Sequence, residues 1–144
     1  MAGSSSRDKG ARAERQAIEL LQPVVTELYQ ARGLDAPKLQ RNTLQSDGGG
    51  FDIVGLRWMA LVVKHQEVLK VEDWWQQTLR QAKNNAEPIL FYKQNNVKFR
   101  IRMWATLHVF RTERYLCHPV EIGVPDFLQY FRLRLEAELA REFD

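Results

Sequence analysis

The chain has a single cysteine, Cys117, in 144 residues. That excludes an intrachain disulfide framework and a cysteine-rich zinc site, and it suits a reducing cytosol. No stretch approaches the roughly 18 apolar residues of a membrane span, and the N-terminus lacks a secretory h-region. Met1 to Ser6 is small and polar, so residues 1–7 are expected to be a flexible N-terminus. Histidine is scarce: His65, His108 and His118 lie far apart in sequence, which leaves little basis for a histidine metal site. Neither sign of charge dominates, since 21 Lys and Arg against 18 Asp and Glu leave a net charge of +3. Such a mild excess permits a polyanionic partner without establishing one.

What remains is globular in composition, with 44% hydrophobic and 27% charged residues. The length fits one domain, expected over residues 8–144, with a single core. From Asp8 to Ala31, Ile18, Leu21, Val25 and Leu28 form one stripe of an amphipathic helix, and one step back lands on Glu14. Pro23 should kink or split that helix. Residues 38–50 are polar and end in Asp47-Gly48-Gly49-Gly50, the pattern of a mobile loop. Phe51–Leu56 and Met59–Lys64 read as strands joined by a tight turn near Arg57. Val71–Asn85 returns to helical spacing, with Trp75, Leu79, Ala82 and Ala86 on one side. Ile89–Lys93 and Val97–Trp104 are further strands, and the second has the outward residues Lys98, Arg100, Arg102 and Trp104. Thr106–Phe110 extends it or forms another. Residues 111–123 look like a loop before a final helix opened by Pro125 and Asp126, with Leu128, Phe131, Leu135 and Leu139 as its stripe. The order of elements predicts an α/β fold around a mixed sheet.

A turn centred on Arg57 puts Asp52 opposite position 62, and alternation puts Lys64 on the same face as Val62. Phosphodiester hydrolysis needs an attacking water, charge neutralisation at the phosphoryl oxygens and help for the leaving oxygen. Asp52 is the candidate ligand for Mg²⁺, with Mn²⁺ as a substitute. Lys64 would orient the water and stabilise negative charge, and Glu14 would complete the site. Taken alone, Asp52 and Lys64 read equally well as a salt bridge. A helix-borne acid joined to a strand acid and a strand lysine shifts the balance towards a site.

Lys9-Gly10 with Glu14-Arg15, then Gly50-Phe51-Asp52-Ile53-Val54-Gly55, then Val62-Val63-Lys64, resembles the PD-(D/E)XK nuclease superfamily. Within it the pattern is similar to archaeal-type Holliday junction resolvases and their phage-encoded relatives. The resemblance covers about residues 8–105. It implies a restriction-endonuclease-like central mixed sheet flanked by helices. It also implies Asp52 as metal ligand, Lys64 as catalytic lysine, Glu14 as the additional acid and the Val63 backbone carbonyl as a further metal ligand. Val62 departs from the family, which has an acid there; an isopropyl group offers no lone pair to a metal or its water. Glutamate and valine codons can differ by one base, so an altered nuclease and a naturally degenerate site both fit. The resemblance places a glutamine near the scissile phosphate: Gln77 matches by position, while helical phase favours Gln76.

Lys9, Arg12 and Arg15 flank the candidate site and are candidates for phosphate contacts, with Arg41 beside them. No base-reading motif is present, so recognition by branch shape and deformability is expected over sequence readout. A four-way junction is two-fold symmetric, and the related resolvases are dimers. A homodimer is therefore expected, built on the stripe of the last helix unless that stripe packs on the sheet. The implied function is a junction resolvase impaired at Val62, in the cytoplasm of a bacterial or phage-infected cell. The alternatives are a non-catalytic DNA-binding or assembly protein and a nuclease acting on ends or flaps.

Overall fold

A computed structural model describes residues 6–43, 51–83 and 85–144. The elements run α1 (Ser6–Gln30), β1 (Gln40–Arg41), β2 (Ile53–Val54), β3 (Met59–His65), α2 (Val71–Gln81), β4 (Glu87–Lys93), β5 (Arg100–His108), β6 (Tyr115–Gly123) and α3 (Val124–Phe143). The strands form one open sheet in the order β1 to β6. Its one parallel pair, β3 with β4, is joined through α2; every other neighbour is antiparallel. The fold is thus α/β with a six-stranded mixed sheet flanked by helices. Among the described residues, no helix is long and apolar enough to cross a membrane.

Strand alternation divides the core. Leu61, Val63, Ile89, Phe91, Ile101 and Met103 face α1 and α3. Val62, Leu90 and Tyr92 face α2, against Trp74 and Trp75. The central strands β3 and β4 are therefore apolar on both faces, as buried parallel strands must be.

Several expectations change. Helix α1 begins at Ser6, two residues before the expected Asp8; residues 1–5 lie outside the described set. Pro23 neither splits nor ends α1. It is exposed, and the Glu19 carbonyl that it leaves without an N–H partner belongs to an exposed residue that water can reach. The buried stripe of α1 is Ala13, Ala17, Leu21, Val25 and Leu28, with Glu14 and Ile18 on its flank. Within the polar stretch 38–50, Gln40 and Arg41 pair with Val54 and Ile53, while Asp47–Gly50 lies outside the described residues. Helix α2 stops at Gln81; it buries Trp74, Trp75 and Thr78 with Leu79 packed beside them, and Ala86 is buried beyond the helix end. Strand β4 starts two residues earlier than expected, and β5 starts at Arg100, leaving Val97 outside it and exposed.

The largest correction is at residues 111–123. Tyr115–Gly123 is a nine-residue strand paired with all of β5. Cross-strand pairing stabilises it although Pro119 in its middle and Gly123 at its end weaken its own strand signal. The buried stripe of α3 is Phe127, Phe131, Leu135 and Leu139, packed in the core beside α1. It is consumed within the chain and supplies no dimer surface.

Candidate functional site

Ile53 pairs with Leu61, the register that sets Asp52 near position 62. The Asp52 N–H donates to the Leu61 carbonyl at 2.8 Å, and the Asn42 N–H donates to the Asp52 carbonyl at 2.8 Å. These bonds hold the backbone of Asp52 between β1 and β3. Its carboxylate Oδ2 accepts the Val63 N–H at 2.7 Å, bonding to the edge of β3 beyond the short β2. N–H and C=O of one strand residue leave from the same edge, so the Val63 carbonyl faces the Asp52 side as well.

Gly55, which closes the motif after Asp52, has φ +136°. A Cβ there would come within 2.7 Å of Leu39 Cδ2 and 3.3 Å of its Cα. Only glycine allows the segment before β1 to pass this close to the β2–β3 turn.

Glu14 reaches the site from the flank of α1 and accepts a 2.8 Å bond from Arg41 Nε. Burial pushes the Glu14 pKa up, and the Asp52 charge adds to the rise; the Arg41 bond and the charges of Arg41 and Arg15 oppose it. A cation placed beside Glu14 would offset the Asp52 charge that helps to raise its proton affinity. Arg41 is thus bound to Glu14 inside the site. Lys9 is half-buried, and Arg12 and Arg15 are exposed along the same end of α1.

Val62 and Lys64 share the α2 side of β3. Val62 is 0% exposed among Trp74, Trp75, Leu90 and Tyr92, and Lys64 is half-buried two residues on. The ion pairs among the described residues include none between Asp52 and Lys64. The structure thus bonds Asp52 to the Val63 main chain, sets Glu14 within electrostatic range of Asp52, and puts Lys64 next along the strand. His65 points the other way and bonds Asn95 through Nε2 at 2.8 Å. On α2, Gln77 is half-buried beside Thr78 while Gln76 is exposed, so helical phase sides with Gln77.

Oxygen donors suited to a hard cation are present in Asp52, Glu14 and the Val63 carbonyl. A third carboxylate at position 62 is missing, and no cluster of three metal-ligating side chains occurs among the described residues. The set fits a cation held by two carboxylates, a carbonyl and substrate oxygens.

A polar network on the α2 side was missed in the sequence. Arg102 bonds Glu121 at 3.1 and 2.5 Å and Glu72 at 2.7 Å, and the Tyr92 hydroxyl donates to Glu121. Tyr92 lies beside Lys64 in the β3–β4 register. Burial, then the Glu121 contact, pushes the Tyr92 pKa up to about 12. The β5 alternation places Arg102 on this face; its partner Glu121 stood in what looked like a loop. A cleft of about 720 Å³ beside Trp58, Arg134 and Glu138 lies at the opposite end of β3 from Lys64.

No family model, curated protein or solved structure matches this chain.

Proposed function

We propose that this chain is a Mg²⁺-dependent, structure-selective DNA endonuclease of restriction-endonuclease-like fold. Its expected activity is that of a Holliday junction resolvase acting on branched or four-way DNA as a homodimer, with cutting impaired by Val62. The observation that carries this reading is the Asp52 carboxylate fixed on the Val63 amide, within electrostatic range of Glu14. Asp52, Glu14 and the Val63 carbonyl would hold the metal, which when bound supplies water activation and charge neutralisation. Arg41 orients Glu14, Lys64 stabilises negative charge at the phosphoryl oxygens, and Lys9, Arg12 and Arg15 contact the phosphate backbone.

A second reading, a non-catalytic DNA-binding or assembly protein on a degenerate nuclease fold, is favoured by one observation. Val62 is wholly buried in an apolar cluster, where it contributes to packing. Binding separates both readings from a protein unrelated to DNA. Fluorescence anisotropy should show a four-way junction bound more tightly than linear duplex of equal length, weakening as salt rises. Equal, negligible binding to both would contradict the proposal. Mg²⁺-dependent cutting confined to ends or flaps would select a different nuclease of the same chemistry.

A further inference from the structure

Beyond Trp104, which packs on Trp75 of α2, the far end of β5 and β6 leaves large apolar side chains exposed. Strand β4 pairs with β5 only from Arg100 to Met103, whereas β6 follows β5 as far as His108. Residues 104–119 therefore project as a two-stranded arm. On the face shared with α1 and α3, the core stripe of β5 runs Ile101, Met103, Ala105, Leu107. Cross-strand from these lie Ile122, Val120, His118 and Leu116. Ile101 and Met103 are buried in the core, but Leu107 is 44% and Leu116 51% exposed. The apolar stripe thus overruns the helices that cover its base.

The tip is a formed turn, not a collapsed one. The Val109 N–H donates to the Arg114 carbonyl at 2.9 Å, and Thr112 Oγ1 donates to the Val109 carbonyl at 2.8 Å. Phe110 stands out from it at 80% exposure, with the Arg111 guanidinium 5.3 Å from its ring centre. An exposed apolar patch of this kind marks a protein interface.

We propose that this arm joins two copies of the chain, with the Leu107–Leu116 face and the Phe110 tip of each packed against the other. Charge decides between partners. From Trp104 to His118 the charged side chains are Arg111, Glu113 and Arg114 alone, against 27% charged residues in the whole chain. A polyanion-binding arm needs a positive excess; interface cores are depleted in charge. Both signs occur at the tip, so a two-fold axis can set Glu113 of one copy against an arginine of the other. Edge-to-edge pairing through β6 is disfavoured, because Pro119 in the middle of that edge strand has no N–H. The contact is therefore face to face.

This inference names a surface for the homodimer of the proposed function and is argued from the arm's exposure alone; its sedimentation test contains no DNA, so its failure is distinct from a failure of junction binding. Sedimentation of the full chain should give twice 16.9 kDa. Leu107→Glu with Leu116→Glu, at positions exposed in the single chain, should keep the circular dichroism spectrum and weaken association by at least about thirtyfold. Leu107→Asn with Leu116→Asn should weaken it less. Leu133→Glu, on the exposed side of α3 away from the arm, should leave the dimer intact. A wild type monomeric at every concentration would overturn the proposal. So would a dimer that survives both arm variants but dissociates with Leu133→Glu, or arm variants whose only effect is to weaken DNA binding by a monomer.

Discussion

The Asp52 carboxylate accepts the backbone N–H of Val63 at 2.7 Å, so one side chain fixes the strand edge on which the proposed site is built. Removing the acceptor leaves a part-buried amide without its partner. Asp52→Ala should cost about 1–3 kcal/mol of stability in urea unfolding. Asp52→Asn keeps an oxygen acceptor and should cost less. Equal losses from the two would mean that the bond contributes little.

Gly55→Ala is expected to destabilise by more than about 1 kcal/mol, because its backbone is in the left-handed half of φ and Leu39 occupies the space. Its thermal midpoint should fall, while Gly10→Ala, which meets nothing within 4 Å inside α1, should be neutral or stabilising.

Glu14 carries a pH signature. Its pKa is raised from 4.5 by burial first and Asp52 second, against Arg41 and Arg15, so the folded chain holds this proton more tightly than the unfolded chain. The corresponding stability is fully present below the unfolded pKa and is lost as pH rises through the folded pKa. Carboxyl-carbon NMR should show Glu14 titrating above 4.5, and higher again in Arg41→Gln, which removes the lowering partner. A downward move in Arg41→Gln would contradict the pairing.

Tyr92 offers a second titration. Its pKa of about 12 arises from burial and then from Glu121, so its neutral form stabilises the fold most fully below about pH 10 and that stability fades as pH rises towards 12. Absorbance titration of Glu121→Gln should show Tyr92 ionising at lower pH, because the facing negative charge is gone. No change would place the shift in burial alone.

The sequence made the centre of the molecule legible and left its edges obscure. Asp52, the tight turn and the even-numbered side of β3 followed from alternation counted outward from the short turn, which fixes the register of the two strands it joins. Glu14 was found by extending a stripe, and it lies on the flank of the true one. The β6 strand was hidden because Arg111, Glu113 and Arg114 before it and Pro119 within it read as a loop, and cross-strand pairing with β5 is what organises Tyr115–Gly123. Arg41 looked like a surface base, and its pairing with Glu14, 27 residues away, is a tertiary fact. The Gln76 and Gln77 phase went wrong because both Trp74 and Trp75 are buried, which rotates the helix from the face that Trp75, Leu79 and Ala82 imply.

The central claim is that position 62 separates this chain from a cutting enzyme. Val62→Glu should be compared with wild type and with Val62→Glu plus Asp52→Asn, on a four-way junction with Mg²⁺. Each variant must first be shown folded by circular dichroism, since Val62 is buried. Symmetric cleavage by Val62→Glu, about a hundredfold or more above wild type and lost with Asp52→Asn, is the predicted result. A folded Val62→Glu that binds the junction and cuts no better than wild type would contradict it.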